Sequence, residues 1–316
     1  MIYPKVSVIM PTCRRAHFLS RAVDSVLSQT YQNIEVVVVD DNAKDEQSRT
    51  TTQETMQKYK DDPRVKYILN SKQSGGAISR NAGIEAAEGE YITFLDDDDK
   101  YLPPKVETQL KFMIMHSLDI SFTDVFLCNA QGKLLEHRTR LYIKDWSADY
   151  LFKVHVTHLI SPTSTFMIKK DLLMKQGGFR NVPISQETIL MWDLLEYASA
   201  SDENIRFGYL PCSYIIQYLH NEGRISLGQN KIDGENRLYA MKCEKKDMLS
   251  KREKRYVDFR HYSVLAVSCK RSGFYKDSIK YLLKAFNISP YDLAKESLSI
   301  IKRRIVAEKT VLSGSV

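Results

Sequence analysis

The chain has 316 residues, 43% hydrophobic and 27% charged, with 13 Gly and 9 Pro, a composition that excludes disordered, collagenous and low-complexity classes. No apolar run approaches the roughly 20 residues of a membrane-spanning helix, and Met1-Ile2-Tyr3-Pro4-Lys5 passes straight into a strand-like run, so neither secretion nor membrane spanning is expected. The net charge of +7 is uneven: residues 231–316 hold 20 Lys and Arg against 10 Asp and Glu, the first 230 residues 26 against 29, and a basic tail suits an anionic neighbour such as a membrane surface. Five scattered cysteines (Cys13, Cys128, Cys212, Cys243, Cys269), none in a C-x-x-C pair, read as reduced thiols of a cytoplasmic protein.

Residues 5–10 (K-V-S-V-I-M), closed by Pro11-Thr12, and residues 34–39 (I-E-V-V-V-V), closed by Asp40-Asp41-Asn42, have the β-branched, turn-bounded pattern of buried parallel strands. Between them Leu19, Ala22, Val23, Val26 and Leu27 form the apolar stripe of a helix that turns Ser20 and Arg21 outward. A polar helical stretch over 44–60, a strand over 65–69, a Ser74-Gly75-Gly76 turn, a helix over 77–87 and a strand over 91–95 continue the alternation. This predicts an α/β fold with a mostly parallel central sheet flanked by helices on both faces.

A helix from Leu102-Pro103-Pro104 to about 116 and a strand over 120–127 follow. The pattern is then mixed to about 225, with a Gly177-Gly178 turn, a helix over 187–197 and a strand over 214–218. From about 231 it is helical, and Tyr262, Leu265, Ala266, Gly273, Tyr275, Ile279, Tyr281, Ala285 and Pro290 fall near the spacing of one tetratricopeptide-like hairpin, with Ser278 at the pattern's small position. The expected division is an α/β domain over 1–230, in halves 1–100 and 101–230, and a basic helical C-terminal region over 231–316.

The strand over 91–95 runs into Asp96-Asp97-Asp98-Asp99, at the carboxyl-end edge where open α/β sheets bind ligands. Adjacent carboxylates repel unless a cation sits among them. Asp96 and Asp98, two apart, point to one side of an extended segment and can converge on one Mg2+ or Mn2+, hard ions that share phosphate oxygens, so a diphosphate ligand is indicated; a solvated acidic turn is the alternative. A calcium loop fails because Lys100 stands where its third ligand belongs. Neither G-x-x-x-x-G-K-[ST] nor G-x-G-x-x-G is present, which leaves the diphosphate charge to the metal and to basic groups such as Arg80. Asp40 and Asp41 should lie near Pro11-Thr12, where a carboxylate can accept from a base edge or ribose hydroxyl, or else hold a turn or cap a helix.

The runs V-S-V-I-M-P-T (6–12), V-V-V-V-D-D-N (36–42), S-G-G-A-I-S-R-N-A-G-I (74–84) and G-E-Y-I-T-F-L-D-D-D-D (89–99) resemble, in order and spacing, family 2 glycosyltransferases of the GT-A fold. The resemblance implies a hexosyl- or N-acetylhexosaminyl-transferase of bacterial polysaccharide or capsule biosynthesis, using a nucleoside diphosphate sugar, UDP first, with 1–100 as its donor half and 101–230 as its acceptor half. It implies that Asp96-Asp97-Asp98 is the metal and diphosphate motif, that Pro11, Thr12 and Asp41 lie at the nucleoside, and that Arg80 approaches the donor. It also implies a downstream acid that deprotonates the acceptor hydroxyl. Glu187 in Q-E-T-I-L-M (186–191) stands there, although Gln186 replaces the family's first acid and Asp193 a common basic residue. His220 and Arg224, in Y-L-H-N-E-G-R-I-S (218–226), resemble the motif closing many members' catalytic region and are expected beside the diphosphate or metal.

The expected reaction is an inverting transfer to a saccharide or lipid-linked saccharide hydroxyl. A nucleotidyltransferase and a non-catalytic sugar-nucleotide-binding protein are the competing readings; nucleic acid is not an expected partner. Leu298, Ile301 and Ile305 beside Lys302, Arg303 and Arg304 suit a helix lying on the inner face of the cell membrane, or one packed on the core by the same stripe.

Overall fold

Two β-branched runs, buried on both faces, form β1 (Val6–Thr12) and β2 (Ile34–Asp40), which pair in parallel. The structure, a computed structural model, describes residues 4–160, 162–220 and 228–312, with side chains through 303. Helix α1 (Ala16–Leu27) buries Leu19, Ala22, Val23 and Val26. Then come α2 (Gln47–Met56), β3 (Val65–Leu69) beside β2, α3 (Gly76–Ala86), and β4 (Tyr91–Phe94) beside β1, all strands parallel. Gly83 lets α3 lie directly on the sheet, since a Cβ there would stand 2.5 Å from Ile9 Cγ2. The carboxyl ends of β1, β2 and β4 therefore meet at one edge.

The chain continues through β5 (Lys100–Tyr101), α4 (Lys105–Met115), β6 (Ile120–Thr123), β7 (Val125–Asn129), β8 (Leu134–Arg138), α5 (Ala148–His158), β9 (Met167–Lys169), α6 (Lys170–Gln176), α7 (Gln186–Ala200), β10 (Phe207–Leu210) and β11 (Ile215–Leu219). The central sheet runs β10-β6-β9-β4-β1-β2-β3, with β9 antiparallel to both neighbours and every other pair parallel, the largely parallel α/β arrangement that the sequence predicts. A second sheet, β5-β11-β7-β8, stands beside the acidic segment. The single strand expected over 120–127 is two strands in different sheets. The chain crosses between them at Asp124, whose buried carboxylate accepts from the Tyr209 hydroxyl at 2.7 Å and from the Arg140 N–H at 3.1 Å.

Four helices follow: α8 (Gly228–Glu244), α9 (Lys251–Arg271), α10 (Tyr275–Ile288) and α11 (Pro290–Leu312). Ser250 and Glu253 form a reciprocal capping box at the start of α9. Helices α9 and α10 pack as a hairpin about Gly273, with Leu265, Ala266 and Ala285 buried and the Ser278 hydroxyl donating to the Ala266 carbonyl at 2.8 Å. Helix α11 lies along β8, and Arg303 pairs with Glu136 at 3.0 Å, so this one of the three basic residues expected at a membrane faces the second sheet. Among the described residues no helix is long and apolar enough to cross a membrane.

Candidate active site

Strand β4 ends at Phe94, and the acidic run turns across the carboxyl end of β1. Asp97 points inward and is fully buried: its Oδ2 accepts from Thr12 Oγ1 at 2.7 Å, and its Oδ1 pairs with Arg15 Nη2 at 2.7 Å. Burial lifts its carboxyl from an ordinary 3.8 to about 7, against the opposing pull of Arg15. Asp96, Asp98 and Asp99 each bring one carboxylate oxygen to within 4.8 Å of the others. Asp99 is raised well above the ordinary carboxylate range, first by burial and then by the charges of Asp98 and Asp96.

A mutual separation of at most 4.8 Å is compatible with the roughly 4.2 Å between opposite ligands of a Mg2+ with ~2.1 Å bonds. A divalent cation would relieve the crowding that raises Asp99. The residues present thus fit a hard metal ion, with Asp99 as a third donor beside the expected Asp96 and Asp98. His220 Nε2 lies 2.7 Å from Asp98 Oδ2, and its buried Nδ1 has no partner among the described residues. Arg224 lies outside the described residues.

Helix α1 supplies a grip that its apolar periodicity conceals. Arg15 Nη1 also bonds Asp98 Oδ2 at 2.7 Å, Phe18 packs on the His220 ring, and Arg21 Nη2 donates to the Asp98 carbonyl at 2.5 Å while stacking on Tyr218. The expectation that Arg21 faces outward is corrected: it does leave the core stripe, but the acidic turn and β11 cover that side. Beneath the turn, fully buried Lys105, its pKa driven well down by burial, donates to the hydroxyls of Thr93 and Tyr101, and Tyr101 donates to the Phe94 carbonyl at 2.6 Å.

At the end of β2, Asp41 Oδ1 accepts from Asn70 Nδ2 at 2.7 Å and from the Ser74 N–H at 2.8 Å, and Oδ2 from the Gly75 N–H at 2.8 Å. Asp41 therefore holds the turn that opens α3, with Gly75 at φ +92°. Three of a carboxylate's roughly four acceptor positions are taken, and one on Oδ2 remains open among the described residues. Asp40 is fully buried, accepting from the Tyr67 hydroxyl and the Asn42 backbone N–H. Pro11 is half-buried at the end of β1.

From α3, Arg80 reaches both halves of the site: Nη2 meets Asp96 Oδ1 at 2.6 Å and Nη1 meets Gln186 Oε1 at 2.7 Å. Gln186 opens α7, and Glu187 follows it. Burial raises the Glu187 carboxyl above its ordinary 4.5, the Arg80 guanidinium pulls it down, and Asp96 pushes it up. Glu187 thus shares an electrostatic neighbourhood with the acidic turn 91 residues earlier in sequence. Two further contacts fix the start of α7. Asn81 and Phe179 exchange hydrogen bonds at 2.8 Å, and His155 Nε2 lies 2.8 Å from the Thr188 carbonyl while its Nδ1 accepts from the Ile160 N–H. Asp193 pairs with Arg180.

Arg15, Arg21, Asp99 and Gln186 are members of this arrangement to which the sequence reading gave no role. Asp99 was already in view as the last of the four aspartates at the strand end, whereas the partners of Arg15, Arg21 and Gln186 are remote in sequence.

The family model described as Glycosyl transferase family 2 matches residues 7–177. The chain belongs to glycosyltransferase family 2. Among its relatives is a Bacillus subtilis protein named provisionally as a teichuronic acid biosynthesis glycosyltransferase, TuaG, 37% identical over 134 residues that make up 42% of this chain and 51% of that protein. Matches span 18–58% of the length of such curated relatives. The fold is shared with two solved structures. Residues 1–349 of TarS from S. aureus, in complex with UDP-GlcNAc, superpose with a TM-score of 0.61 at 17% identity, covering 98% of this chain and 92% of that one. The mannosyltransferase PcManGT from Pyrobaculum calidifontis, in complex with GDP-Man and Mn2+, gives 0.58 at 15% identity, covering 99% and 88%. These family 2 and GT-A likenesses agree with the resemblance carried by the four N-terminal motifs.

Proposed function

We propose that this family 2 chain transfers a sugar, with inversion, from a nucleoside diphosphate donor, UDP first, to a hydroxyl of a saccharide or lipid-linked saccharide in cell-surface polysaccharide biosynthesis. The observation that carries the proposal is the Arg80 bridge, which ties the acidic turn to the helix start bearing Glu187. The donors in the two solved structures and the name of the Bacillus relative support the substrate class.

In this reading the nucleoside lies along Pro11 and Thr12, with the remaining acceptor position of Asp41 Oδ2 available to a base N–H or ribose hydroxyl. Asp96 and Asp98, with Asp99 within reach, would hold a Mn2+ or Mg2+, which would supply Lewis-acid neutralisation of charge on the diphosphate. Asp97, pinned by Thr12 and Arg15, sets the path of the turn. Arg80 and His220 flank the diphosphate. Glu187 takes the acceptor hydroxyl's proton as its oxygen bonds to the anomeric carbon, and the opposite bond to the β-phosphate oxygen breaks with its electron pair, leaving a nucleoside diphosphate. A single displacement inverts the anomeric centre. The chain would work in the cytoplasm at the inner face of the membrane, where the basic C-terminal region meets lipid.

The test is a panel of nucleotide sugars incubated with protein, Mn2+ and saccharide acceptors, scored for the released nucleotide. Nucleoside diphosphate is expected with one donor, lost on adding EDTA and in Asp98→Ala. Release of pyrophosphate would indicate nucleotidyl transfer, and no release with any donor would overturn the assignment.

A further inference from the structure

We infer that the exposed face of α10 is a docking surface for an anionic lipid bilayer. This deepens the membrane-surface reading above, and its test uses no catalytic readout, so failure of either is distinguishable from failure of the other.

Helix α10 divides into three sectors at the helical 100° per residue. Ser278, Tyr281 and Ala285 turn toward α9, where Ala285 is fully buried and Tyr281 stacks on Tyr262. Tyr275, Ile279, Leu282, Leu283 and Phe286 occupy an adjoining sector of about 100°. They are 45–66% exposed, a run of large apolar side chains that a water-facing helix does not ordinarily carry. Lys276, Lys280 and Lys284, four residues apart, form an exposed row that begins at the edge of that sector and winds away from it toward α9.

Charge selects the occupant. Residues 262–288 carry Lys270, Arg271, Lys276, Lys280 and Lys284 against the single acid Asp277. A second copy of this face would bring the lysine rows together, and an apolar protein groove would strip water from them. A bilayer with anionic headgroups accepts both sectors at once. Ring and aliphatic groups enter the acyl boundary, while the lysine stems run along the apolar surface and place their ammonium groups among the phosphates. The Lys284 ammonium, 5.0 Å from the Tyr262 ring centroid, lies over an aromatic face on the side of α10 toward α9.

The experiment is co-sedimentation of the full chain with phosphatidylcholine vesicles with and without about a third phosphatidylglycerol. Binding is expected to be about tenfold or more tighter to the anionic vesicles and to weaken strongly between about 0.1 M and about 0.5 M NaCl. Replacing Lys276, Lys280 and Lys284 by Gln should cost about fivefold each, about a hundredfold together. The variant I279S/L283S/F286S should lose at least about tenfold, with helicity by circular dichroism unchanged because these side chains are exposed. The lysine variant keeps the test decisive if the apolar one misfolds. Equal binding to both vesicle types, or full binding by the lysine variant, would overturn the proposal. So would dimerisation in sedimentation velocity that the apolar variant abolishes while no vesicles bind, which would assign the face to a second copy.

Discussion

Replacing Asp97 by Asn should stabilise the metal-free protein above neutral pH while weakening its donor site. Asp97 is fully buried, and its carboxyl stands at about 7 instead of 3.8 because burial outweighs Arg15 and Thr12. Between those values the folded chain keeps a proton that the unfolded chain has released. The stability this provides is complete below the unfolded value and is lost as pH rises through the folded one. At about 1.36 kcal/mol per unit, roughly three units amount to on the order of 4 kcal/mol lost by pH 8. Asn imitates the protonated acid: its oxygen still accepts from Thr12, but its amide hydrogens face the Arg15 guanidinium, and leaving them unpaired costs about 1–3 kcal/mol. The net expectation is a gain of about 1–3 kcal/mol at pH 8 that reverses to a deficit of about 1–3 kcal/mol toward pH 4, where the wild-type acid is protonated in both states and only the cost of the unpaired amide is left. Urea unfolding in EDTA across that range measures it. Mn2+ and UDP at about 1,000 times Kd should reverse the order, since ligand at that excess adds about 4.1 kcal/mol to the protein that binds it. A variant less stable than wild type at pH 8 in EDTA, or two stability curves running parallel with pH, would refute the reasoning.

Glu187→Gln should lower turnover about 10²–10⁴-fold with UDP and Mn2+ binding by calorimetry unchanged. Because burial raises the Glu187 carboxyl and the base must be ionised, the wild-type transfer rate should fall on acidification through a pKa above the ordinary 4.5; a flat profile down to that value would contradict the assignment. Gln186→Leu removes one of the two partners of Arg80 and should reduce kcat about 10–100-fold with little change in donor KM, a split that steady-state kinetics resolves. Gly83→Ala drives a methyl to within 2.5 Å of Ile9 Cγ2 and should cost about 1–3 kcal/mol in urea unfolding.

The donor half was legible because its information is local. Strands β1 and β2 each carry an unbroken β-branched run, α1 a helical stripe, and the acidic segment follows β4 without interruption, so periodicity alone orders them. The second half resists that treatment. Strand β9 has only three residues, MIK, and its place between β4 and β6 rests on antiparallel pairing with strands 76 and 47 residues earlier. The run 120–127 looks continuous because Asp124 interrupts it by a single residue, and only the remote Tyr209 and Arg140 make that carboxylate a crossing point between sheets.

The same division governs the site. Carboxylates at a strand's end announce themselves, whereas the cations that hold them in place do not. Arg21 sits on a helix whose pattern assigns it to solvent, Arg15 immediately precedes that helix with no pattern of its own, and Gln186 occupies a position where an acid was expected. What makes Gln186 informative is its neutrality. With Asp96 on one side of Arg80, a second carboxylate on the other would add negative charge beside Glu187 and raise it further, whereas an amide accepts the guanidinium's hydrogen bond without doing so. A Gln186→Glu variant should therefore keep the bridge but shift the acid limb of the rate profile to higher pH; an unmoved limb would separate Glu187 from the proton transfer.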